Sequence, residues 1–240
     1  MSDSKATLKV ASQRLDQVSL PVLVAQGAGL SAEVAFRGRM HAVALLAHAR
    51  ELLGSFILLV EHARWPASTA VARCLFELAA SGFYFLHKLK PALETADYDE
   101  ALRVVNLAMS SSRLMNKYAS PPWTESINVL TMVESLDKAL VRKGVTSGRA
   151  QRSYSLLSEF SHPNAAALML YLAVEGREVH IRESPVKVDP VPGAHIWLYA
   201  VLTSARDLLS LYGLDVCLVA HIDAILTTDS AVPLHPPTTP

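Results

Sequence analysis

From about Ser31 to His62 the sequence holds one unbroken helical pattern, and Arg64-Trp65-Pro66 closes it. A residue before proline is pushed out of the α region, so the run must stop there. A helix of that length needs long neighbours to cover its apolar side. The sequence predicts them. A short helical pattern lies within residues 1–29, ahead of a break at Pro21 to Gly29. Pro66 can hold the first position of a helix that runs to about Lys90, where Pro91 closes it. A further helix spans roughly 94–118, and Ser120-Pro121-Pro122-Trp123 makes a rigid connection. Thr124 is suited to cap a helix that ends at Gly144, with Arg142 and Lys143 in its last turn. Ser147 can cap a helix through Phe160, and another follows from Pro163 to about Ala173. The last runs from about Ala194 to Leu226, with Gly213 as a kink point.

One stretch departs from this period. A Glu175-Gly176-Arg177 turn precedes Val179, Ile181, Val186 and Val188 in alternation, which predicts a small hairpin. The expected fold is therefore all-α, a single bundle of about six to eight helices with a small β-hairpin insertion near 174–189. Residues 1–29 form an N-terminal helical segment, residues 30–227 the bundle domain, and the Pro/Thr-rich residues 228–240 a disordered tail.

Composition narrows the partners. The chain is 51% hydrophobic and 18% charged, more apolar than an average soluble domain. That surplus predicts deeply buried helices or a subunit interface, hence a homo-oligomer or a protein partner. Lys+Arg 22 balances Asp+Glu 22, so charge gives RNA binding no support. The run from Val43 to Val60 is interrupted by His48, Arg50 and Glu51, so no membrane span is expected. The N-terminus has no apolar secretory segment, which predicts a cytoplasmic location. Cys74 and Cys217 each sit in an apolar helical pattern and read as small core residues. There is no G-x-S-x-G, G-x-G-x-x-G, Walker, H-E-x-x-H or C-x-x-C motif, and no cofactor is expected.

Three places can carry chemistry. His41, His48, Ser55 and His62 are spaced seven apart, with Glu51 beside them. Such positions drift only about 20° per step, so they form one polar stripe. It is either a partly exposed face or a polar seam able to transfer protons or hold a metal. Arg73 and Glu77 share a helix face among apolar neighbours and can form an ion pair. If buried, that pair needs further hydrogen-bond partners. The Ser and His groups of residues 158–164 are the natural partners: Ser158, Ser161 and His162. Glu159 and His162 have the Glu-x-x-His spacing of di-iron bundles, but no second copy exists, and His162 precedes Pro163. The stretch reads first as a helix junction, and second as a place that could bind an anion or position a base.

Arg73-x-x-x-Glu77 and the later Ser158-x-x-x-His162-Pro163 junction together resemble a family of bacterial all-helical proteins of unknown function. The resemblance covers roughly residues 40–175. It implies an all-α fold and, more distantly, a relation to HEPN-like proteins of stress and defence systems. Many of those are RNases with an Arg four to six residues before a His. Here the nearest Arg before His162 is Arg152, so an RNase would need Arg73 to supply the cation through the fold.

Two functions follow. One is a self-associating or partner-binding module. The other is a hydrolase acting on RNA, with His162 as acid or base, Arg73 holding an anion, and Glu77 or Glu159 orienting them. Tyr154, Ser158 and Asn164 would bind the ligand. The metal alternative rests on His41, His48 and His62.

Overall fold

The computed structural model describes residues 2–21, 23–110, 127–142, 144, 146–162, 165–187, 190–211 and 216–227. Nine helices and one antiparallel hairpin lie among the described residues. In chain order they are α1 (Ser2–Gln17), α2 (Leu30–Glu61), α3 (Trp65–Glu94), α4 (Tyr98–Ser110), α5 (Val129–Arg142), α6 (Arg149–Ser161) and α7 (Ala165–Met169). Strands β1 (Leu172–Glu175) and β2 (Glu178–Ile181) follow, then α8 (Val191–Leu211) and α9 (Val216–Thr227).

The all-helical bundle with a hairpin insertion is as the sequence predicts. The long last helix is instead two, α8 and α9, and the kink point Gly213 falls outside the described residues. So do Thr124, the 120–123 connection and the tail 228–240. Helix α5 starts at Val129, where the Asn128 side chain accepts the Leu130 N–H at 2.9 Å. Helix α3 does not stop at Pro91 but runs on to Glu94. A proline so near the end forfeits one backbone bond and leaves the next turn free to close. There the Pro91 carbonyl accepts from the N–H and hydroxyl of Thr95.

α3 is the central element, packed against α2, α4, α5, α6 and α8. The reason is its composition: Ala72, Leu75, Phe76, Ala79, Ala80, Phe85 and Leu89 recur at helical spacing and are all buried. α2 and α8 supply the facing side chains, among them Leu53, Phe56, Leu198 and Leu202. Each fully buried Leu or Phe contributes about 1.5–3 kcal/mol. The α3–α8 crossing is close. A Cβ on Gly82 would lie 2.5 Å from Ser204 Oγ and 3.4 Å from Leu45 Cδ1, so only glycine fits. The N-terminal helix belongs to the same core through Leu8, Ala11 and Leu15.

By length and composition α2 and α3 could each cross a membrane, but a central core helix passes the same test. Both pack against other helices of this bundle. Cys74 and Cys217 are free and exposed, not the core residues their apolar neighbours suggest. Each falls on the outer side of its helix, a phase that a mixed small-residue pattern does not fix.

The hairpin is shorter than the predicted 174–189 excursion. Its ladder pairs Leu172 with Ile181 and Val174 with Val179. Val186 lies beyond β2, with its N–H donating to the Leu170 carbonyl at 2.8 Å. Val188 is outside the described residues.

Candidate functional site

Arg73 and Glu77 stand one turn apart on α3, and Arg73 Nε donates to Glu77 Oε1 at 2.9 Å. α6 crosses this face. Its buried Tyr154 tilts against Phe76, ring centroids 5.7 Å apart, and lies 5.3 Å beneath the Arg73 guanidinium carbon. The Tyr154 hydroxyl accepts from Arg73 Nη2 at 3.1 Å. His162 sits just past α6 in extended backbone, φ −95° and ψ 150°, as expected for a residue before proline. Its Nε2 is 2.6 Å from Arg73 Nη1. Arginine can only donate, so Nε2 is the acceptor nitrogen and a neutral ring carries its proton on Nδ1.

Every nitrogen of the Arg73 guanidinium is thus aimed at a protein group. Burial works against its charge, but the hydrogen bond to Tyr154 and the charge of Glu77 outweigh that and raise its pKa. Neighbouring Cys74 is held as the thiol: partial burial raises its pKa, Glu77 adds to the rise, and Arg73 only opposes it. It is not an activated nucleophile.

α6 is placed by another helix. Asp137 on α5 accepts the N–H groups of Gly148 at 2.7 Å and Ala150 at 2.9 Å. Ser147 therefore does not cap this helix. Gly148 is its N-cap, with φ 74°, and Asp137 satisfies the open N–H groups instead. No local pattern marks Asp137 for this task, because the partner is eleven and thirteen residues downstream.

The structure brings together Arg73, Glu77, Tyr154 and His162. It does not bring Glu159 to them. Five residues after Tyr154, Glu159 is about 140° around the helix. It is exposed on the outer face of α6, in an open groove with Gly148, Arg152 and Leu156. Ser158 is half-buried, and its hydroxyl is enclosed without a protein partner. Asn164 lies outside the described residues.

The histidine stripe is not one site. His41 is 7% exposed and meets Phe85 edge-on, centroids 5.5 Å apart. Burial lowers its pKa to about 4. His48, Ser55 and His62 are exposed, and His62 is already past the end of α2. Seven-residue spacing keeps these residues near one side of α2, but among the described residues that side is covered only where Phe85 of α3 meets His41. Among the described residues no group of three or more His, Cys, Asp or Glu is arranged to hold a metal ion.

The geometry sets limits on chemistry. The Nε2 lone pair of His162 is taken by Arg73, so the ring is not a free base in this arrangement. Arg73 spends three of its five N–H donors on these contacts, which leaves one on each Nη among the described residues. In comparisons with family models, curated proteins and solved structures, nothing matches this chain.

Proposed function

We propose that this protein is a self-associating helical module, and that the Arg73 cluster fastens α6 to α3. The observation that carries this reading is the apolar surface left uncovered late in the chain. Leu156, Leu168, Met169, Val174, Val179 and Ile181 are all at least half exposed, with Ile181 at 84%. Scattered exposed apolar residues are ordinary, but a collection on adjacent elements marks an interaction surface. The three partners of Arg73, one on α3 and two on or just past α6, support the fastening role. The reading includes a reducing, cytoplasmic setting, which two exposed free thiols favour. Sedimentation of the full chain over a range of concentrations tests it, and a monomer throughout rejects it.

One observation favours the hydrolase reading as a second. Arg73 and His162 meet although they are 89 residues apart, and His162 is exposed. In that reading a substrate phosphate displaces His162 from Arg73 and frees Nε2 as a base. Wild type and His162→Ala compared on a mixed RNA pool decide it. Cleavage by wild type and none by an equally folded variant supports the hydrolase.

A further inference from the structure

We infer that the hairpin is the surface of self-association, and that β2 pairs antiparallel with β2 of a second copy of this chain. The inference rests on the self-association reading above and names its site.

The hairpin is amphipathic in an unusual sense. Leu172, Val174, Val179 and Ile181 share one face, as two directly opposed cross-strand pairs. Ala173, Glu175, Glu178 and His180 share the other. A two-stranded sheet ordinarily turns its apolar face to a core, because alone it is marginally stable. Here Val174, Val179 and Ile181 are 57%, 61% and 84% exposed. The ladder instead continues one pair beyond the strands. The Arg182 N–H donates to the Tyr171 carbonyl at 2.8 Å, and Arg182 Nε to the Leu172 carbonyl at 2.8 Å.

The Arg182–Tyr171 backbone bond also fixes which backbone groups are open. The Arg182 N–H faces β1, so by the two-residue alternation those of His180 and Glu178 do too. The N–H and C=O groups of Val179 and Ile181 therefore point outward, along the edge of β2. That edge is self-complementary. Two copies related by a two-fold axis at His180 place Val179 opposite Ile181 of the second copy, and Ile181 opposite its Val179. Both pairs exchange their outward backbone bonds. The same register sets Glu178 opposite Arg182 of the second copy, twice, so opposite charges meet on the polar face. The two apolar faces become one continuous face across a four-stranded sheet. A register shifted by one residue loses the outward bonds and turns the apolar side chains to the polar face. The backbone, the charges and the apolar pattern thus agree on one occupant.

The experiment uses the full chain. Sedimentation equilibrium compares wild type with Ile181→Asp and with Val179→Asp. Both side chains are exposed, so melting temperatures should stay near wild type at concentrations dilute enough for wild type to be monomeric. In a Cys74→Ser, Cys217→Ser background, His180→Cys and the turn control Arg177→Cys are then oxidised. Opposed residues of a non-hydrogen-bonded antiparallel pair have Cα atoms about 4.5 Å apart, within disulfide reach. The expected result is a wild-type dimer weakened about a hundredfold or more by either Asp, and a His180→Cys dimer that resists denaturation without reductant. A wild-type dimer that either Asp variant leaves intact overturns the inference and spares self-association. So does cross-linking of His180→Cys no greater than that of Arg177→Cys. A wild type that is monomeric throughout removes both.

Discussion

Arg73 Nη1 and His162 Nε2 stand 2.6 Å apart, joining the middle of α3 to the residue where α6 ends. The contact needs a neutral imidazole, since a protonated ring would set a donor against a donor. Replacing Arg73 by Met should cost about 2 kcal/mol, because it removes hydrogen bonds made by a charged group. Tyr154→Phe should cost about 1 kcal/mol. Urea denaturation of Arg73→Met, His162→Ala and the double variant should give a coupling of about 0.5–1.5 kcal/mol. Strict additivity would mean that the contact does not fasten the helix.

The buried His41 predicts an acid-labile fold. Its folded-state pKa, about 4, lies below the ordinary 6.5. The unfolded chain therefore binds the proton first, and the stability that neutral His41 confers is complete above pH 6.5. It should drain away as the pH falls toward 4, by a total on the order of 3 kcal/mol. Depressed carboxylates such as Glu61, held down by Lys9, and Glu100, held down by Arg103, act at lower pH. In His41→Leu the slope between pH 6.5 and 4 should flatten, as read from urea midpoints at each pH.

Gly82→Ala should destabilise the bundle by about 1–3 kcal/mol through overpacking. The new methyl meets Ser204 Oγ, which already donates to the carbonyls of Ala200 and Val201 and cannot simply swing aside. Adding Ser204→Gly should recover part of the loss, because Ser204 Cβ at 3.1 Å is the second obstacle. Thermal melts of the single and double variants check this. Equal melting temperatures for wild type and Gly82→Ala would show the crossing to be looser than its geometry.

Asp137→Ala should cost about 1–2 kcal/mol, the usual worth of a helix cap, while Ser147→Ala should cost almost nothing. Denaturation midpoints for the two variants separate a cap reached across the fold from a cap in sequence.

Much of this architecture can be read from the chain because prolines and apolar periods are local signals. Arg73 and Glu77 are legible for the same reason, since four residues is one turn. His162 could be matched to them only by asking which Ser or His groups would satisfy a half-buried ion pair, and Tyr154, the other partner, escaped because a ring packed on Phe76 does not announce its hydroxyl's direction. Glu159 shows where that reasoning stops. It lies between the two true partners in sequence, yet helical rotation turns it outward. Asp137, the helix end after Pro91 and the exposed cysteines escaped because each depends on a neighbouring element or on helix phase.

α6 is secured at both ends from outside, by Asp137 where it begins and by Arg73 where it ends. A free helix of its length would fray at its termini. Here the termini are the fixed points. The helix that precedes the hairpin in the chain is therefore held at both ends by the bundle. Amide protons of α6 should exchange with solvent as slowly as those of α3, and those of β2 far faster. Force that the hairpin meets and passes back to α6 reaches α3 by two routes, the Arg73 hydrogen bonds and the ring of Tyr154 packed on Phe76.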